Sequence, residues 1–181
     1  MLDTILDSPL SSWLQLDTDA TDHIVISSRI RLARNFDGVL FTNRNDMSSL
    51  EKVNSFSRSL LKPLKDVDGH QYSNINLEQL SERDRAILVE KHLMSPALEE
   101  KLPYRNLVVS DDASIVIMVN EEDHLRIQSM VSGLRLEVAY ERVLKIDKAI
   151  EAKYPYAFDE RFGYLTACPT NVGTGLRASV M

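Results

Sequence analysis

Hydrophobic and polar positions alternate between His23 and Leu32, where HIVISSRIRL sets Ile24, Ile26, Ile30 and Leu32 in one phase. That period of two predicts a half-buried strand, with Ser28 in step with the isoleucines and Ser27, Arg29 and Arg31 on the opposite face. Residues 46–63 and 77–93 carry apolar residues at helical spacing, and Asn76 is placed to cap the second helix, with Gln79 three residues on. The runs NLVVS and SIVIMVN lie either side of Asp111 and Asp112, which predicts an antiparallel hairpin with a short polar loop. Between Ser132 and Lys153, Leu136, Tyr140, Val143, Leu144 and Ile150 recur at helical spacing and predict one long helix whose glutamates and lysines face water. From 155 to 181, short apolar runs broken by Pro169, Gly173 and Gly175 read as strand, loop, strand. The first sixteen residues, with Trp13 among irregularly spaced leucines, predict a short helix or two on the main body, so 1–22 is a helical extension of a single domain spanning 1–181.

A chain of 181 residues, 44% of them hydrophobic, can bury one substantial core, and no repeat or linker divides it. A net charge of −6 argues against nonspecific binding to nucleic acid or to an anionic membrane, so any phosphate site must be local. The acidic amino terminus lacks the pattern of a secretory signal, and no stretch approaches transmembrane length. A single cysteine, Cys168, permits no internal disulfide and fits a reducing compartment; the expected location is the cytoplasm.

Three constellations carry candidate chemistry. In Ser27-Ser28-Arg29-Ile30-Arg31, with Arg34 beyond, arginines two apart on a strand project together, and guanidinium forks suit phosphate oxygens; a solvated face with surface ion pairs would read the same. In Asn120-Glu121-Glu122-Asp123-His124-Leu125-Arg126, three adjacent carboxylates need solvent or a cation. A carboxylate there could hold a guanidinium and take its proton, ligate Mg²⁺, or simply cap a helix. In CPTNVGTGLR, from Cys168 to Arg177, Gly173 and Gly175 let backbone approach a ligand, although the lysine and spacing of a P-loop are missing and a glycine turn would look alike.

Taken together and in this order, SSRIRLAR, NEEDHLR and CPTNVGTGLR resemble the three successive signatures of the phosphagen (ATP:guanidino) kinase superfamily, over residues 24–181. Only 26 residues precede Ser27, where creatine and arginine kinases carry a separate helical domain, so the chain is most similar to the bacterial protein-arginine kinase branch. The resemblance implies an α+β fold, a largely antiparallel sheet flanked by helices. It also implies transfer of the ATP γ-phosphoryl group to protein arginine side chains, with MgATP as phosphoryl donor. Such a mark would direct proteins to a Clp-type AAA+ unfoldase and inactivate a heat-shock repressor, with an activator protein as a further partner. Noncatalytic nucleotide binding and free-guanidine phosphorylation are the alternatives.

By the same resemblance, Arg29 and Arg31, with Ser27, Ser28 and Ile30 beside them, contact nucleotide, as do Arg126 and the run Arg177, Ala178, Ser179, Val180 and Met181. His92, in VEKHLMSP, matches a histidine lying against the nucleotide, though at a helix end it fits a structural role equally well. Glu122 matches the carboxylate that aligns the guanidinium and accepts its proton, and Cys168 a substrate-positioning thiol. The family pattern continues after Arg177 with a further arginine, a second substrate carboxylate and more of the sheet. The expectation is therefore a C-terminally truncated catalytic domain whose uncovered edge favours a homo-oligomer.

Overall fold

A computed structural model describes residues 2–8, 12–14, 24–44 and 46–181. Its centre is a six-stranded antiparallel sheet formed by β1 (Ser27–Arg34), β2 (Tyr72–Asn76), β3 (Asn106–Ser110), β4 (Ile115–Val119), β5 (Leu125–Ser132) and β8 (Leu176–Val180), in the order β2-β3-β4-β5-β1-β8. Two short strands, β6 (Phe158–Asp159) and β7 (Gly163–Tyr164), make a separate hairpin. The α+β class and the β3–β4 hairpin expected from the sequence are both present.

The alternation in β1 places Ile30 and Leu32 in a core shared with Val108, Ile117, Ile127 and Val131. That face is covered by α2 (Met47–Ser59), α3 (Leu61–Asp68) and α5 (Leu136–Glu151). On the opposite face a second core gathers Leu107, Val109, Val116, Met118 and Met130 beneath α1 (Leu2–Asp7), α4 (Glu82–Glu90) and the short turn carrying Trp13. The Lys91 ammonium fastens α1 there by donating to the carbonyls of Ile5, Leu6 and Ser8 at the helix end. Toward the β1–β8 edge Arg29 and Arg31 are half-buried and Arg177 is exposed.

Several boundaries differ from the sequence reading. The strand begins at Ser27; His23 and the extension residues 9–11 and 15–22 lie outside the described residues, and Ile24 is 89% exposed. The helix expected over 46–63 is two helices, because Pro63 has no N–H for the carbonyl of Ser59, which accepts from Lys153 Nζ at 2.9 Å instead. Asn76 caps only a single 3₁₀ turn, Leu77–Gln79; extended backbone at Leu80 resets the chain, and Ser81 with Asp84 forms the capping box of α4. The long helix starts at Leu136 rather than Ser132, and its Tyr140 is exposed; Ala139, Val143, Ile146 and Ile150 make the buried stripe. Strand β5, to which the apolar pattern assigned no element, is buried on both faces and so lacks a half-exposed alternation.

Arg34 and Asp147 form the deepest ion pair among the described residues, bidentate at 3.0 and 2.9 Å with side chains 4% and 3% exposed. Removing one partner strands the other charge, so Asp147→Leu should cost about 3–5 kcal/mol and lower the melting temperature by roughly 10 °C. The double variant Arg34→Met/Asp147→Leu should recover most of that loss in thermal denaturation followed by circular dichroism. An unchanged melting temperature in Asp147→Leu alone would contradict the assignment.

Candidate active site

Strand register assembles the basic face. Arg31 pairs with Arg177 across β1 and β8, and Arg29 with Ser179, so these four side chains project together; Arg29 Nε donates to Ser179 Oγ at 3.2 Å. On the other side of β1, Ala33 lies opposite Arg126 and Arg31 opposite Gln128, which brings Arg126 onto the same face. Ser28, Ile30, Ala178 and Val180 fall in the alternate phase, so their side chains point to the helix-covered side. Ser28 is fully buried there, its hydroxyl donating to Gly133 O and accepting from Arg135 N. Ser27 shares the arginine phase and meets Met181 through paired main-chain bonds, although Met181 lies beyond β8.

These elements enclose a cavity of about 220 Å³ lined by Arg31, Leu32, Ala33, Glu122, Arg126, Cys168, Thr170, Asn171, Gly175 and Arg177. Gly175 closes one wall: it has φ +62° and its carbonyl accepts from Ala33 N, and a Cβ there would come within 2.6 Å of Ala33 O and of the Arg34 guanidinium. Arg34 does not join the basic face. It turns to the helix side, donates to Thr174 O at 2.9 Å and stacks over Tyr164 at 3.8 Å, anchoring the glycine loop from behind.

The four guanidinium groups repel one another. Partial burial, followed by the charges of Arg29, Arg126 and Arg177, pushes the Arg31 pKa down to about 10, against a smaller upward pull from Glu121. Burial and the charges of Arg177 and Arg126 also lower that of Arg29. Arg31 Nε is buried without a hydrogen-bond partner in the protein. An anion in the cavity would relieve all three conditions, and the forked donors suit phosphate.

The acidic run divides into distinct roles. Glu121 is buried and accepts from Arg126 Nη1 and Ser95 Oγ, both at 2.8 Å. Glu122 is 43% exposed on the cavity wall, with only a 3.4 Å contact to Arg126, and its carbonyl accepts from Thr42 Oγ1. Asp123 is buried away from solvent. His124 accepts Phe36 N–H at Nδ1 and donates from Nε2 to Leu40 O; burial lowers its pKa more than Leu40 and Asp123 raise it, keeping the ring neutral. Cys168 is half-buried, with Sγ 3.0 Å from Thr170 Oγ1.

His92 is not part of the cavity wall. It follows α4 at φ 58°, its ring faces Trp13, and its carbonyl accepts from Gln128 Nε2 at 2.8 Å, which places it at the rim of the arginine face. The sequence reading missed Thr42 and Asn35, which hold the acidic loop from the other end of the chain; nothing local marks either residue.

The family described as ATP:guanido phosphotransferase, C-terminal catalytic domain, matches residues 52–181. A protein-arginine kinase of Syntrophomonas wolfei is 46% identical over 176 residues, covering 94% of this chain and 48% of the relative. One from Halothermothrix orenii is 43% identical over 180 residues, covering 99% and 50%. The chain thus spans about half the length of the curated relatives it matches. Among solved structures, the duplicated taurocyamine kinase of Schistosoma mansoni with bound transition-state analog components aligns at TM-score 0.75 and 30% identity, over 100% of this chain and 26% of that one. Lombricine kinase aligns at TM-score 0.73 and 26% identity, over 97% and 51%.

Proposed function

We propose, from the premise that this chain belongs to the ATP:guanido phosphotransferase family, that it transfers the γ-phosphoryl group of ATP to arginine side chains of proteins. The observation that carries the reading is the meeting of Arg31, Arg126 and Arg177 with Glu122 and Cys168 around one cavity, with Arg29 beside them on the same face of β1. The name shared by the curated relatives supports a protein-borne acceptor.

In this reading Arg29, Arg31, Arg126 and Arg177 bind the phosphates and offset the charge of the transferring group. Glu122 aligns the acceptor guanidinium, which is a poor nucleophile while protonated, and takes a proton from the attacking nitrogen. A nitrogen–phosphorus bond forms as the bond between the γ-phosphorus and the bridging oxygen of ADP breaks. Cys168 sits beside the guanidinium as a positioning group. The donor set fits Mg²⁺ only as an ion carried on the phosphates. Among the described residues the one convergent trio of metal-ligand types is His70, Asp111 and Asp112, at the opposite end of β4. When bound, that ion supplies further neutralisation of phosphate charge.

The same reading extends to marking proteins for a Clp-type unfoldase, inactivating a heat-shock repressor, an activator partner and a cytoplasmic location. It includes self-association along the outer strand β8, whose Leu176 and Val180 are exposed.

The deciding experiment incubates the chain with MgATP and an arginine-containing protein, followed by mass spectrometry under neutral handling. Acid-labile phosphoarginine that disappears in Glu122→Ala is the expected result, with free arginine a poorer acceptor. Nucleotide binding without transfer would recast the chain as a noncatalytic nucleotide-binding module.

A further inference from the structure

Glu122 and Cys168 reach the cavity from separate segments of the chain, and one buried carboxylate joins them. Asp123 Oδ1 accepts from Ala167 N and from Asn35 Nδ2, both at 2.7 Å. Asn35 completes the ring: its Nδ2 also donates to Leu165 O at 3.1 Å, and its Oδ1 accepts from His124 N at 2.9 Å. Asp123 and Asn35 are 2% and 1% exposed. The path from Glu122 to Cys168 through this junction is therefore one residue on either side of a single hydrogen-bonded oxygen.

We propose that Asp123 is a positioning residue that sets the separation of Glu122 from Cys168, and with it the slot for the acceptor guanidinium; this rests on the kinase reading above. A role in packing alone would be met by an apolar side chain without the cost of burying a charge. A buried oxygen that accepts from two N–H donors on separate segments holds both in one register, and small displacements of such supports disturb a reacting pair.

Cys168 is the sole cysteine, so its alkylation by iodoacetamide reports its placement without interference. Asp123→Ala should change that rate about fivefold or more, while Asp123→Asn, which keeps the accepting oxygen, stays within about twofold of the unsubstituted chain. Binding of trinitrophenyl-ATP at the arginines should be retained in both variants. An unchanged alkylation rate in folded Asp123→Ala would overturn the proposal, as would an Asn variant as perturbed as the Ala variant. Should Asp123→Ala not fold, amide exchange in the unsubstituted chain decides: the Ala167 N–H should exchange slowly, and free exchange would overturn the linkage. Nucleotide binding by the unsubstituted chain tests the kinase reading separately, since its absence would sink that reading while the alkylation contrast still decides the role of Asp123.

Discussion

Arg126→Ala should weaken nucleotide binding roughly 10- to 100-fold, since a charge-assisted hydrogen bond to phosphate is worth about 1.5–3 kcal/mol. It should also destabilise the protein, for a reason unconnected with nucleotide. Glu121 is 4% exposed at its side chain and depends on Arg126 at 2.8 Å for its counter-charge. Breaking such a pair from one side costs about 3 kcal/mol, the lower end of the usual range because the Arg126 side chain is 19% exposed. The melting temperature should fall by roughly 6–12 °C. The two effects separate in the double variant Arg126→Ala/Glu121→Gln, where stability returns and nucleotide affinity does not. Calorimetric titration with MgADP beside a thermal melt reads both, and full recovery of affinity in the double variant would show that Arg126 acts only through Glu121.

Glu122→Gln should slow phosphoarginine formation roughly a hundred- to ten-thousand-fold, the usual worth of a positioned proton acceptor. The amide keeps the size and one oxygen but cannot take the proton or offset the guanidinium charge. Because Glu122 is 43% exposed and meets Arg126 only at 3.4 Å, the substitution should leave stability almost unchanged, as surface pairs contribute about 0–1 kcal/mol. This sets Glu122 apart from its neighbour Glu121, identical in type and adjacent in sequence. The check is a time course of phosphoarginine by mass spectrometry beside a thermal melt. A variant as active as the original would move the proton-accepting role elsewhere.

The sequence by itself determined the α+β class, the β3–β4 hairpin, the division of β1 into an apolar and a basic face, and the family through three ordered motifs. The hairpin and the two faces of β1 follow from side-chain periodicity, whereas the α+β class and the choice of Arg29, Arg31, Glu122, Arg126, Cys168 and Arg177 came through the resemblance that the three motifs carry. The tertiary structure alone decided which members of each motif face the cavity. Arg34 belongs to the first motif yet is drawn to Asp147 on α5, and Ala178 and Val180 fall in the wrong phase of β8 to present side chains to the basic face. Glu121, Glu122 and Asp123 read as one acidic run, but Arg126, solvent and the Asn35–Ala167 donors assign them three different roles. The reason is physical: the partner that settles each charge lies on a neighbouring strand or a distant loop, and pairing across a sheet is set by register, which no local pattern of residues contains.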